Sequence, residues 1–328
     1  MDSEEQLIER VRRRFLAARG AVRVGVGDDA AVLSTGGKND LVVTTDQFLE
    51  GVHFLRKEHP AKMVGYKALA RATSDLAAMG ARSLCFFLTL GLPAACTGKW
   101  FDDFLAGMAG AARQFGLVLA GGDTTKYPSV VISLTVLGEV GQGRAILRSG
   151  ARPGDLLCVS GKLGEAELGL RLVLKKLHRR RGWAKLLMKH FHPQPRLTLG
   201  RWLATKRYAT SMIDTSDGLS TDLARICKAS GVGAVVWADK LPSPAVPPDL
   251  RALGFDPLSL AQHGGEDYEL LFTVPRKLAR RLLQRVGGVP IRVIGEITRQ
   301  RTVLLDEGGL RRQLKPLGWD PFRPKDTR

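Results

Sequence analysis

Apolar residues recur along this chain with two periods. Leu7, Ile8, Val11 and Phe15 share one helical face between Ser3 and Arg19. Ser3 and Gln6 are spaced as a capping box, and Gly20 supplies a stop. Alternation at Val22, Val24 and Val26 predicts a strand over 22–26, with further strands over 30–33 and 41–45. The same reading predicts helices over 60–79, 98–115, 196–205, 220–230 and 275–286. It predicts strands over 83–92, 117–120, 130–137, 156–160, 211–213, 270–274, 290–294 and 303–305. Trp100, Phe101, Phe104, Leu105 and Met108 form a stripe that reads as core. Glycines and charges crowd 138–155, marking a connection between two domains, 1–148 and 149–328.

The polar positions that break this pattern are acidic and fall in clusters. Val26 leads into Gly27-Asp28-Asp29, and Val43 into Thr44-Thr45-Asp46. Ala120 leads into Gly121-Gly122-Asp123-Thr124-Thr125, and Ile213 into Asp214-Thr215-Ser216-Asp217-Gly218. Each cluster is read as a loop just past a strand end, where function concentrates. A single cluster of this kind is an ordinary turn. Four that converged could not all stay ionised without cations, because two like charges 4 Å apart repel by about 4 kcal/mol at an effective dielectric near 20. Oxygen donors without a Cys or His cluster suit Mg²⁺, whose usual partner is a polyphosphate. Asp75 is a further anomaly: it sits mid-helix among alanines, where Asp competes for backbone hydrogen bonds.

Composition narrows the classes. The chain has 328 residues, 44% hydrophobic and 25% charged, which suits a globular protein of two domains. No apolar run reaches membrane-spanning length, and the MDSEEQ start is not a signal peptide, so a cytoplasmic enzyme is expected. Four scattered cysteines form no CxxC pair and read as reduced thiols. The net charge of +18 admits a nucleic-acid binder, but no nucleic-acid-binding signature accompanies it. The densest basic run, Lys175–Lys189, reads as a solvated helix face and a connection. There is no Walker A motif, no kinase HRD or DFG set, no G-x-S-x-G elbow and no H-E-x-x-H. Phosphoryl transfer remains, because it asks for positioning and charge neutralisation rather than covalent chemistry.

Seven segments then point to a family. GVGDDAAVL, TTDQFLEGVHF, GYKALARATSDLAAMGA, AGGDTT, GRAILRSGARPGD, IDTSDGLSTDLARI and GGEDYELLFTV resemble, in order and spacing, those of thiamine-monophosphate kinases. The resemblance runs from residue 25 to the GWD at 318–320. It implies a dimeric, two-domain α+β protein of the aminoimidazole ribonucleotide synthetase-like fold, with mixed sheets flanked by helices. It implies transfer of the ATP γ-phosphoryl group to thiamine monophosphate, giving thiamine diphosphate. Carried over by position, Asp29, Thr44, Thr45, Asp46, Asp75, Asp123, Asp214 and Asp217 would ligate several Mg²⁺ ions. Asp29, Asp75, Asp123 and Asp214 would be the catalytic carboxylates, with Asp28 or Asp29 as the direct ligand left open by the motif. Phe104, Gly122, Asp123, Arg148 and Ser216 would meet ATP, although for Phe104 the core reading is the stronger one. His53, Glu266 and Trp319 would meet thiamine monophosphate. The competing readings are another ATP-using synthetase of the same superfamily and a basic nucleic-acid-binding protein.

Overall fold

The structure is a computed structural model and describes residues 3–15, 19–177 and 183–322. The chain opens with α1 (Glu4–Arg14), capped by Ser3, whose hydroxyl and backbone complete the capping box with Gln6. No residue of α1 is buried, and Ile8, Val11 and Phe15 face outward. The predicted continuation toward Arg19 runs into residues 16–18, outside the described residues.

A first sheet follows. Its strands are β1 (Val22–Val24), β2 (Ala31–Ser34), β3 (Asn39–Leu49), β4 (Arg82–Leu92), β5 (Val118–Lys126) and β6 (Val131–Gly141), in the order β1-β2-β3-β6-β4-β5. Helix α2 (Ala61–Ala78) connects β3 to β4, and α3 (Lys99–Phe115) connects β4 to β5. The α3 crossover makes β4 and β5 parallel; the other pairs are antiparallel. Both helices belong to the core cluster that holds the alternate residues Val42, Phe48, Phe86, Leu88 and Leu90 of β3 and β4. They pack so closely that a Cβ on Gly65 would lie 2.0 Å from Phe104 O, and one on Gly107 1.8 Å from Lys62 O. The small residues of both helices therefore serve backbone contact.

Two acidic clusters expected in loops lie instead inside strands. β3 runs through Thr44-Thr45-Asp46, and β5 through Gly121–Thr125. β-branched threonines favour extended backbone, and ladders to β6 and β4 continue across both clusters.

The chain reaches a second sheet through 142–155. Its strands are β7 (Leu156–Ser160), β8 (Ser211–Asp214), β9 (Gly233–Trp237), β10 (Leu270–Val274), β11 (Arg285–Val286), β12 (Val289–Thr298), β13 (Val303–Glu307) and β14 (Leu310–Gln313). The order is β14-β13-β9-β12-β7-β10-β8, with β11 paired to β12. Around it lie α4 (Glu165–Leu174), α5 (Ala184–Phe191), α6 (Leu197–Lys206), α7 (Leu219–Ser230), α8 (Pro248–Ala252), α9 (Pro257–His263) and α10 (Arg276–Ala279). The helix expected over 275–286 stops at Ala279, because Gly287 and Gly288, at φ 56° and 80°, fold β11 back onto β12. β9, α4, α8, α9 and β14 were not anticipated. The basic run begins at the end of α4 and enters α5, and its residues 178–182 lie outside the described residues.

Helix α2 is the element both sheets share. It packs on β3, β4 and β6 on one side and on α5, α6 and β8 on the other. Gly200 of α6 sits so close that a Cβ there would lie 2.0 Å from Ala77 O.

Candidate active site

The α2 residues Lys67, Arg71 and Asp75 are four apart, so they form one stripe with about 6 Å between successive side chains. Each finds its partner on a different segment, and the stripe lays out the site.

At one end lies Asp75. Carboxylate oxygens of Asp29, Asp75 and Asp214 come within 4.8 Å of one another. Asp29 comes from the Gly27–Ala30 turn and Asp214 from the last position of β8, so both domains contribute. Oδ2 of Asp29 and Oδ2 of Asp214 are buried without a hydrogen-bond partner among the described residues. Burial and the neighbouring carboxylates Asp214, Asp29 and Asp46 hold the Asp75 carboxyl well above its ordinary range. Burial and Asp29 push Asp214 up to about 7. Three converging carboxyls with two orphaned buried oxygens suit a hard divalent cation, which would supply the missing partners.

The other expected acidic residues surround this centre unevenly. Thr44 Oγ1 donates to Asp75 Oδ2 at 2.5 Å. Thr45 lies on the opposite face of β3, its hydroxyl 3.0 Å from that of Thr135, so its side chain does not join the cluster. Asp46 receives both ends of the Arg71 fork, at 3.1 and 3.2 Å. Asp217 is paired to Arg225 at 2.6 Å. Asp28 and Asp29 have different tasks. Asp28 accepts the main-chain N–H groups of Arg148 and Asp29, whereas Asp29 faces the cluster. Burial and Asp29 push Asp28 up to about 7.

Asp123 does not reach the centre within this chain. It lies on β5, three strands from β3, which is roughly 14 Å at ordinary strand spacing. Gly122 beside it passes so close to β4 that a Cβ would lie 1.8 Å from Leu88 O. Arg148 already sits at the cluster, its guanidinium 2.6 Å from Asp29 Oδ1. Phe104 is corrected outright: it is 0% exposed, stacked on Trp100 in the α2–α3 core, and cannot touch a nucleotide in this conformation.

The loop 214–218 is laced to the loop 264–269. Glu266 N–H donates to Ser216 O at 2.7 Å, and Tyr268 N–H to Thr215 O at 3.0 Å. Gly218 has φ 107° and stands where a Cβ would lie 2.7 Å from His263 O. Trp319 joins the same face, its N–H donating to Asp217 O at 2.9 Å.

Farther along the stripe, His53 stands on the Phe48 ring that Arg71 also covers, and Glu266 stands at Lys67. His53 Nδ1 accepts the Leu49 N–H at 3.0 Å, which leaves Nε2 as the donor, and its ring stacks on Phe48. Burial and the Arg71 cation pull His53 down to about 3, so the ring is neutral. Arg71 also lies over the Phe48 ring, 5.1 Å from its centroid. Glu266 is held by Lys67 at 2.8 Å. Burial opposes its ionisation, but Lys67 and His190 outweigh that and hold the carboxyl well below its ordinary range.

Lys67, Arg71, His190 and Arg225 escaped the sequence reading. Helical spacing in a helix otherwise built from alanines was the available signal for the first two. His190 carries no local signal, since Glu266 lies 76 residues away, and Arg225 shows only an ordinary i,i+3 pairing with Asp222 besides its contact with Asp217.

A model for the N-terminal domain of AIR synthase related proteins matches residues 27–140, and one for their C-terminal domain matches 152–306. Fold and site are thus those of an AIR synthase related protein. More narrowly, the chain belongs to the thiamine-monophosphate kinase family. It is 38% identical over 302 residues to the thiamine-monophosphate kinase of Salmonella typhimurium, covering 90% of each chain. The structure of AaThiL complexed with AMPPCP and TMP superposes with a TM-score of 0.85 at 30% identity, covering 98% of this chain and 97% of that one. The thiamine-monophosphate kinase of Stenotrophomonas maltophilia matches at 40% identity and a TM-score of 0.75, covering 92% of this chain and 95% of that one. No helix among the described residues is long and apolar enough to cross a membrane.

Proposed function

We propose that the chain transfers the γ-phosphoryl group of ATP to the phosphate of thiamine monophosphate, giving thiamine diphosphate and ADP. The observation that carries this reading is the two-ended stripe on α2. A carboxylate centre from both domains stands at Asp75, and an ionised Glu266 stands at Lys67, about 12 Å along the helix, with a neutral His53 on the Phe48 ring that Arg71 covers. The first end suits a metal-bound polyphosphate and the second an organic cation. The names of the relatives and the ligands of AaThiL agree with both.

Asp29, Asp75 and Asp214 would hold Mg²⁺, with Thr44 orienting Asp75 and with Asp46 and Asp217 at the margin. Bound there, the ions would neutralise the phosphates as charge moves from donor to acceptor. Arg148 would exchange part of its pairing with Asp29 for a phosphate oxygen, which its planar fork fits. Gly122, Asp123 and Ser216 would line the nucleotide, with Asp123 at its outer end. His53 Nε2–H would donate to the thiamine monophosphate, Glu266 would face its thiazolium charge, and Trp319 would cover its ring. No general base is required, because a phosphate monoester is largely ionised at neutral pH, with its second pKa about 6.

We place the nucleotide and metal machinery in 1–148 and the completing half of the substrate site in 149–328. We expect a homodimer in the cytoplasm. α2 and α3 cover one face of the first sheet, while the other shows Phe87 and half-buried Leu41, Val43 and Leu137, and β5 is an open edge with Val118 and Leu119 exposed. The test is incubation with ATP, thiamine monophosphate and Mg²⁺, with both products quantified. Equal yields of thiamine diphosphate and ADP are expected. ADP with inorganic phosphate and no thiamine diphosphate would contradict the assignment.

A further inference from the structure

Lys67 is 1% exposed in the middle of α2, a costly place for an ammonium group. Its Nζ lies 2.8 Å from Glu266 Oε2 and 3.1 Å from His190 Nδ1. His190, 0% exposed on α5, also stands 3.1 Å from that same Oε2. Both contacts therefore fall on one oxygen of Glu266. Oε1 makes no hydrogen bond among the described residues, and the side chain keeps 20% of its surface open.

Behind His190 the contacts continue. His190 Nε2 lies 3.0 Å from His59 Nε2, and His59 Nδ1 lies 3.2 Å from Leu55 N and 3.0 Å from Leu55 O. Burial together with nearby Lys67 pulls both imidazoles down, His59 to about 3 with His190 adding to its shift. Both rings are neutral, so each has one donor and one acceptor nitrogen. With Leu55 N–H donating to His59 Nδ1, His59 Nε2–H donates to His190 Nε2. His190 Nδ1–H then donates to Glu266 Oε2, the oxygen that also accepts from the Lys67 ammonium. A backbone N–H of the first domain, through two histidines, thus reaches a carboxylate of the second that Lys67 also holds.

We propose that Lys67 and His190 are positioning residues for the organic cation of the substrate: they occupy Oε2 of Glu266 and so turn Oε1 toward the ligand. This rests on the reading of Glu266 as the group that faces the thiazolium ring. Lys67 itself does not touch the substrate. Its ammonium and the His190 Nδ1–H together hold Oε2 in place. A mere clamp between the two domains would have no reason to spare one oxygen.

The experiment is a double-mutant cycle in the full-length enzyme, read as separate KM values for thiamine monophosphate and ATP and as kcat. Lys67→Met is expected to raise KM for thiamine monophosphate by about tenfold or more, while KM for ATP and kcat move by less than about threefold. His190→Asn should act in the same direction, more weakly. In a Glu266→Gln background, adding Lys67→Met should leave KM for thiamine monophosphate unchanged, because the group Lys67 acts through is already lost. That comparison stands even if Lys67→Met alone does not fold, since the double variant replaces a buried ion pair with neutral groups. Additive losses, or equal effects on both substrates, would overturn the proposal. If Glu266→Gln alone leaves KM for thiamine monophosphate unaltered, the assignment of Glu266 fails instead, and the two failures are told apart.

Discussion

Asp75 shows how one misplaced residue type organises a site. An aspartate mid-helix among alanines opposes local preference, and what it meets lies on other segments: Thr44 and Asp29 in the first domain and Asp214 across the junction. Asp75→Asn and Asp214→Asn are expected to lower turnover by at least about 100-fold, the scale of losing one transition-state charge contact. Without a divalent cation, neither should lower the melting temperature, because each removes repulsion among buried carboxylates. A large loss of stability with activity retained would reverse the roles. The sign with pH is also fixed. Asp75 and Asp214 sit above their ordinary range, Asp214 at about 7, so in the metal-free protein their contribution to stability is full below the ordinary carboxylate range and is lost as pH rises through about 7. Mg²⁺ favours the ionised forms. Melting curves should show a larger Mg²⁺-induced shift near pH 8 than near pH 5, and equal shifts would count against a metal at this cluster. Asp75 and the clusters around Asp29, Asp46 and Asp214 were legible in the sequence because acidic residues interrupt apolar patterns there. The separate tasks of Asp28 and Asp29 were not, since adjacent residues differ only in where the turn aims them.

Among the elements, α2 carries the most. Its spacing sets the order Asp75, Arg71, Lys67, and its small residues let two domains close on it. Gly107 and Gly110 on α3 separate packing from propensity. A Cβ at Gly107 would strike Lys62 O at 1.8 Å, whereas one at Gly110 meets nothing within 4 Å. Gly107→Ala should destabilise by about 2 kcal/mol or more, and Gly110→Ala should stabilise by about 0.5–1 kcal/mol, both read from urea midpoints. Helices α1, α2, α3, α6 and α7 and most strands followed from periodicity, whereas α4, α8 and α9 were not read from it. Two further departures have physical causes: Thr-rich clusters extended β3 and β5 through segments read as turns, and the Gly287-Gly288 turn converted the end of an expected helix into a hairpin. Phe104 belonged to its apolar stripe after all, as its stacking on Trp100 shows.

For the whole molecule, the two sheets meet along α2, and the site exists only where they do. The first sheet leaves an apolar face and the β5 edge open, and a stable protein with such a surface is expected to pair. Light scattering should give twice the mass of the 35.7 kDa chain, and Phe87→Glu with Leu119→Glu should return the monomer. Monomeric wild-type protein at micromolar concentration would refute the pairing. Asp123 gives this a further edge: roughly 14 Å separate its strand from β3, so nothing within one chain draws it to the other carboxylates. The net charge of +18 is expected to favour solubility and to attract anionic nucleotides, while the proposed chemistry rests on the buried acids.

The central claim is that Asp29, Asp75 and Asp214 grip the triphosphate through divalent ions, and calorimetric titration with a non-hydrolysable ATP analogue tests it most directly. Binding should require Mg²⁺, vanish in chelator, and weaken by at least about tenfold in Asp214→Asn. Equal affinity with and without the metal, or an Asp214→Asn variant that binds like wild type, would contradict it.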